Sequence, residues 1–75
     1  MGEQQGPRLV HTLEVREGIY VEAYLLHNVL DGTGIALLPF GVDKRGKRVP
    51  TMVTVQELQK ALFQARAALA VEEGR

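Results

Sequence analysis

The chain has 75 residues, and nine basic and nine acidic side chains give it a formal net charge of zero. A chain of this length can build one small core, and without cysteine it has no disulfides to stabilise that core. Net neutrality argues against nonspecific coating of nucleic acid. No stretch approaches the ~20 apolar residues of a membrane span, and the polar N-terminus does not resemble a signal peptide. We therefore expect a cytoplasmic protein that does not engage a membrane.

The first seven residues differ in composition from the rest of the chain. Residues 1–7 contain two glycines and a proline and show no hydrophobic periodicity, which predicts a disordered arm. Residues 8–75 are expected to form a single domain.

Two runs of alternating residues predict the first two strands. Arg8 to Arg16 alternates with a period of two, Glu17-Gly18 is a plausible two-residue turn, and the alternation resumes from Ile19 to Leu30. Glu14 and Glu22 are expected on solvated strand faces. Simple alternation gives the first strand one face with Leu9, His11, Leu13 and Val15, and the second strand a face with Tyr20, Glu22, Tyr24 and Leu26.

Turn residues 31–34 (DGTG) separate these strands from an apolar third strand, Ile35 to Val42. Pro39 cannot donate a ladder hydrogen bond, so this strand is predicted to lie at an edge or to be bent. A charged turn centred on Gly46 follows, and then a short fourth strand from Val49 to Thr54.

The last segment has the pattern of a helix. Thr54 and Glu57 have capping-box spacing, and the helix is predicted to continue to about Glu72 and stop near Gly74. The expected fold is therefore α+β, a four-stranded antiparallel sheet followed by one long C-terminal helix packed on one face. The apolar residues that recur at helical spacing, and are predicted to face the core, are Val55, Leu58, Leu62, Ala65 and Leu69.

A second apolar stripe on this helix consists of Phe63, Ala67 and Val71. One interpretation is a broad core face with an exposed phenylalanine, since single exposed apolar residues are common. The other is a homodimer interface, which the small size of the chain also favours.

The residues offer little for catalysis. The chain lacks serine and cysteine, and the four threonines show no histidine–carboxylate partners. His11 and His27 have no clear third ligand, so we predict no metal site, and each is expected to be a hydrogen-bonded core histidine. We expect a protein that is not an enzyme and binds no cofactor.

One cluster of residues has the character of a binding site. Residues 1–43 carry two basic and six acidic side chains, whereas residues 44–75 carry seven basic and three acidic. Four cations, Lys44, Arg45, Lys47 and Arg48, surround Gly46, and such a turn can present donors to phosphates. If exposed, Tyr20 and Tyr24 would add stacking platforms for single-stranded nucleic acid. The alternative is a solvated hairpin turn whose charges discourage aggregation.

The order of these parts resembles the single-stranded-DNA-binding transcriptional coactivator family called positive cofactor four. Residues 18–67 carry the resemblance: a hairpin, a basic turn ending in Gly46-Lys47-Arg48, a short strand ending in Thr54, and a helix opened by Gln56-Glu57-Leu58. It implies four antiparallel strands and one helix, dimerisation through the helix region, and single-strand binding on the sheet face. The phosphate contacts would be Lys44, Arg45, Lys47 and Arg48, and the stacking residues Tyr20 and Tyr24.

Two functions therefore remain open at this point. The first is a small binding module for single-stranded nucleic acid. The second is a protein-interaction module that engages a larger protein through the Phe63/Val71 stripe or an open sheet edge.

Overall fold

The computed structural model describes residues 6–26 and 34–73. The strands form one antiparallel sheet in the order β1-β2-β3-β4, and the helix packs on the sheet against β1, β2 and β3. This arrangement confirms the predicted α+β fold. The elements in chain order are β1 (Arg8–Arg16), β2 (Ile19–Leu26), β3 (Gly34–Val42), β4 (Arg48–Val49) and α1 (Val55–Glu73).

Two glycines make the described turns possible. Gly18, with a φ of 77°, closes the turn between β1 and β2, and Gly46, with a φ of 81°, closes the turn between β3 and β4. Both angles lie in the left-handed region that glycine adopts without steric cost. The second turn is braced by Asp43, whose carboxylate accepts hydrogen bonds from the backbone N–H groups of Arg45 and Lys47 at 2.9 Å each.

Irregular pairing in β1 changes which residues share a face. The register with β2 shifts between Leu9 and His11 and again between Glu14 and Arg16, as expected for β-bulges. Leu9 consequently lies opposite Tyr24, whereas His11 lies opposite Ala23 on the other face of the sheet. The prediction that Leu9 and His11 share a face is therefore wrong, because one extra residue reverses the alternation.

The fourth strand is much shorter than predicted. It pairs only Arg48 and Val49 with β3, and residues 50–54 do not belong to the sheet. Continuing the register would place residue 51 opposite Pro39, which has no N–H to extend the ladder. Because β4 ends so early, no described strand pairs with β3 on its outer side at Pro39. As a whole, however, β3 lies between β2 and β4, so the prediction of an edge strand is wrong.

The core lies between the sheet and α1 and is built from small side chains. Val21 and Ala23 of β2 and Ala61 and Ala65 of α1 are at most 1% exposed. Alanines four residues apart on the helix allow its backbone to approach the sheet closely.

The predicted capping box starts the helix. The Thr54 hydroxyl accepts from the Glu57 N–H at 3.0 Å, and a Glu57 carboxylate oxygen accepts from the Thr54 N–H at 2.8 Å. The helix continues to Glu73, one residue past the predicted end. The predictions for residues 1–5, 27–33 and 74 lie outside the described residues. In the described ranges, no helix has the combined length and apolar character that crossing a membrane requires.

Candidate functional site

The side of the sheet opposite α1 is the candidate site. We call it the open face; it comprises Tyr20, Glu22, Tyr24 and Leu26 of β2, together with their cross-strand neighbours on β1 and β3 and the adjoining Arg48 of β4. Its orientation follows from the pairing, since Val21 and Ala23 of the same strand are buried on the helix side.

One end of the open face is aliphatic. Leu9 and Leu38 are 48% and 49% exposed there. Between Pro7, Tyr24 and Leu26 on one side and residues 36–38 on the other lies a shallow groove of about 280 Å³ with almost wholly apolar walls. Exposed apolar side chains beside an apolar groove are typical of surfaces that bind other molecules.

The other end of the open face is aromatic and lies beside the two turns. Tyr20 and Phe40 are cross-strand neighbours whose rings stack with centroids 5.4 Å apart and planes inclined by 19°. The guanidinium of Arg48 lies over the Phe40 ring, 4.1 Å from its centroid. This contact is a cation–π interaction, and it holds the arginine against the sheet.

A charged cluster adjoins both ends, since Glu22 lies directly opposite Leu38 and Arg48 lies over Phe40. Arg48 donates to both carboxylate oxygens of Glu22, Nη1 to Oε1 and Nη2 to Oε2, at 2.9 Å each, and the Tyr24 hydroxyl donates to Oε1 at 2.9 Å. Glu22 is only 5% exposed, so the expectation that it is solvated is wrong. Its burial is tolerated because a bidentate guanidinium and a phenol together satisfy the carboxylate.

These contacts shift the ionisation of the cluster. The hydrogen bond from Arg48 lowers the pKa of Glu22 below its ordinary value of 4.5 even though burial opposes this effect. Donation to Glu22 raises the pKa of the Tyr24 phenol, because the carboxylate favours the protonated hydroxyl. At neutral pH the cluster therefore contains a paired carboxylate and guanidinium and a neutral phenol.

The structure divides the six residues predicted to bind nucleic acid into two groups. Tyr20, Tyr24 and Arg48 lie together on the open face. Lys44, Arg45 and Lys47 lie on the β3–β4 turn at its border, where all three are exposed. Among the described residues the ion pairs are Arg8–Glu72, Arg16–Glu57 and Arg48–Glu22, so none of the three turn cations is paired within this part of the chain.

The predicted helix stripe lies away from the core. Phe63 and Val71 are 71% and 68% exposed, and Ala67 is also exposed. His11 is half-buried on the helix side, opposite Ala23, and His27 lies outside the described residues. In the ranges that the structure describes, no three potential metal ligands come together.

Sequence reasoning placed Glu22 on the face of Tyr20 and Tyr24 by its alternation phase, but predicted a solvated carboxylate and not a buried partner of Arg48. It did not assign Phe40 or Leu9 to this surface. Phe40 and Leu9 carried no such signal, because the strand register decides which side of the sheet they face.

Comparisons of this chain with protein-family models, with curated proteins and with solved structures found no match. The proposals below therefore rest on the geometry of the chain itself.

Proposed function

We propose that this chain is a non-enzymatic binding module that docks a protein surface on its open face. The observation that carries the proposal is the aliphatic end of that face, where Leu9 and Leu38 are half exposed beside an apolar groove. Exposed aliphatic side chains of this kind are typical of the apolar centre of a protein interface.

The charges of the open face also favour a protein partner. Arg48, the cation on that face, is already neutralised by Glu22 through two hydrogen bonds. A surface that binds nucleic acid needs cations available to phosphates. A paired arginine beside aromatic rings instead resembles the centre of a protein interface, where aromatic residues and arginine are enriched.

Site-specific photo-crosslinking tests this proposal. A photoreactive amino acid replaces Leu38 on the open face or, as a matched control, Lys60 on the exposed side of α1. In the cells from which the chain derives, we expect covalent protein adducts from position 38 and far fewer from position 60. Adducts to a second copy and to another protein both count as support. Equal adduct yields at the two positions would contradict the proposal.

A second candidate function is binding of single-stranded nucleic acid, and the β3–β4 turn is the observation that favours it. Asp43 braces the turn, and the exposed Lys44, Arg45 and Lys47 project from it without an ion pair among the described residues. Tyr20 lies on the adjoining end of the open face. Preorganised cations beside an aromatic ring can hold a phosphate backbone and stack a base.

Fluorescence anisotropy with labelled single- and double-stranded oligonucleotides over a salt series tests this second function. Replacing Lys44, Arg45 and Lys47 with alanine should abolish binding, whereas replacing Lys60 and Arg66 on α1 should not. Arg48 is left intact because it also neutralises Glu22. In the three single alanine variants, each lost phosphate contact should reduce the salt slope by about 0.7. Absence of binding at low salt would rule out this candidate.

A further inference from the structure

The open face offers a contact area in the range of a small interface with a surface of its own size. Three strands of eight or nine residues, spaced by about 4.8 Å and near 28 Å long, give a flat footprint of roughly 15 Å by 28 Å, to which the two-residue β4 adds little. Two such faces in contact would bury on the order of 850 Å², within the range of small, reversible interfaces below about 1,200 Å². Leu9 and Leu38 would lose their present exposure in such a contact.

Charges are segregated across one end of the open face. Glu14, beside Tyr20, and Glu17, in the β1–β2 turn, lie at the β1 corner of this end. Lys44 and Lys47, in the β3–β4 turn, lie at the corner beyond β3. All four are exposed, so this end carries an acidic corner and a basic corner on opposite sides of the sheet.

We propose that the open face docks the open face of a second copy of this chain, about a twofold axis parallel to the strands. This inference rests on the proposed function, since it names the partner that the open face takes. The rotation exchanges the two corners, so the acidic corner of each copy faces the basic corner of the other. It also places aliphatic end on aliphatic end. Both matches arise from one symmetry operation, as an isologous interface requires.

The other face-to-face orientation has no such match. A twofold axis perpendicular to the strands would place the charged corners of each copy over the aliphatic end of the other. Lysine and glutamate side chains would then be desolvated against Leu9 and Leu26 without partners, which is costly. Charge complementarity therefore selects the parallel arrangement, in which the two sheets form a sandwich of aligned strands.

The small core gives the second copy a physical role. In the described part of the chain, the buried apolar residues are one valine and three alanines, Val21, Ala23, Ala61 and Ala65. Fully buried side chains this small contribute limited stabilisation. A second copy would bury the aliphatic end of the open face. This burial would add apolar contact area to that of the small core.

Analytical ultracentrifugation over a wide concentration range tests the contact with two matched variants. Leu38→Asp introduces a carboxylate on the open face, and Phe63→Asp introduces one on the exposed stripe of α1; neither position is in the core. We expect a wild-type dimer, and Leu38→Asp should weaken it by about tenfold or more because a charge would be buried in an apolar contact. Phe63→Asp should have little effect.

Charge reversal tests the orientation. Glu14→Lys with Glu17→Lys makes both corners basic, and Lys44→Glu with Lys47→Glu makes both acidic, so each variant alone should dimerise poorly. A mixture should form a heterodimer, since every corner then faces its opposite charge. Circular dichroism confirms that each variant is folded before mixing.

The outcomes separate this inference from the proposed function. A monomeric wild-type protein, a dimer lost in Phe63→Asp but kept in Leu38→Asp, or charge variants that do not recover on mixing would each overturn the inference. Crosslinking of position 38 to a different protein would still support the proposed function in any of these cases. Absence of position-specific adducts at Leu38 would instead count against the function itself.

Discussion

Arg16 at the end of β1 donates its Nε–H to Glu57 Oε2 in the first turn of α1 at 2.6 Å, across 41 positions of sequence. The same arginine donates through Nη2 to Glu57 Oε1 and to the backbone carbonyl of Met52. Because Glu57 also closes the capping box with Thr54, one carboxylate both starts the helix and fixes it to the sheet.

The pairing of β1 with β2 places both arginines on the face that α1 covers. Arg16 lies opposite Ile19 and Arg8 opposite Leu25, because the two bulges between them reverse the alternation twice. Arg8 there pairs with Glu72 in the last part of α1, with both nitrogen–oxygen distances at 3.2 Å. The two ends of β1 thus hold the two ends of the helix, in antiparallel orientation.

The two arginines should contribute unequally to stability. Arg8→Ala should cost about 0–1 kcal/mol, because Arg8 and Glu72 are both more than half exposed and water screens the pair. Arg16→Ala should lower the free energy of unfolding more, since it also removes the hydrogen bond to Met52. Urea unfolding of the two single variants measures the difference. Equal losses would contradict the assignment of Arg16 as the principal contact between β1 and the helix start.

Stability should decline in acid because of Glu22 and Glu57. Hydrogen bonds from Arg48 and Arg16, respectively, lower the pKa of each carboxyl below its ordinary value of 4.5. A lowered folded-state pKa stabilises the fold above the unfolded-state pKa, and this contribution is lost as pH falls through the lowered values. Unfolding free energies measured from neutral pH to about pH 3 should show the decline.

The matched control for this pH dependence is the double variant Glu22→Gln/Glu57→Gln. Glutamine retains hydrogen-bonding capacity at both positions, including that of the capping box, but does not titrate. The decline below pH ~4.5 should be shallower in this variant. An unchanged pH profile would show that other carboxyl groups cause the acid sensitivity.

The Glu22–Arg48 pair should behave as a unit. Arg48→Met keeps an apolar cover over Phe40 but leaves the buried Glu22 carboxylate without its guanidinium, so it should destabilise the protein strongly at neutral pH. The double variant Glu22→Gln/Arg48→Met removes that charge and should recover part of the loss. Thermal unfolding midpoints of the wild type, both single variants and the double variant test this coupling.

A pH series gives an independent check on the pair. Removing Arg48 should raise the pKa of Glu22. The difference in unfolding free energy between wild type and the Arg48→Met variant should therefore become smaller as the medium becomes acidic. Additive single effects, or a difference from wild type that does not change with pH, would contradict the coupling.

Gly41 in β3 has no room for a side chain. A Cβ at this position would lie 2.5 Å from Thr51 Oγ1 and 3.3 Å from Ile19 Cδ1. Gly41→Ala should therefore cost about 1–3 kcal/mol through overpacking. The Thr51→Ala background removes the clashing oxygen and should reduce this cost. Gly6→Ala is the control, since a Cβ there meets nothing within 4 Å, and chemical denaturation measures all of these variants.

The features that could be predicted are those set by neighbouring residues. Period-two alternation identified β1 and β2, glycines identified the turns at Gly18 and Gly46, and Thr54 with Glu57 identified the start of the helix. Each signal extends over a few residues, because dihedral preferences and capping hydrogen bonds act locally. The chain order of these elements was sufficient to predict the four-stranded sheet and its covering helix.

The candidate site depended on contacts between distant parts of the chain. Tyr20 and Tyr24 were predicted as members of one face, and β2 keeps them there because its register is unbroken. The burial of Glu22 needed Arg48, which lies 26 positions away in the sequence. Neither residue alone shows whether it will be solvated, since the cost of burying one charge depends on whether the other is present.

The sequence by itself determined the types and order of the elements, because backbone preferences and hydrophobic periodicity are local properties. The tertiary structure alone decided the two bulges of β1, the early end of β4 and the composition of the open face. A single inserted residue reverses which side of a sheet every later side chain occupies, and only pairing with a neighbouring strand determines where that reversal occurs.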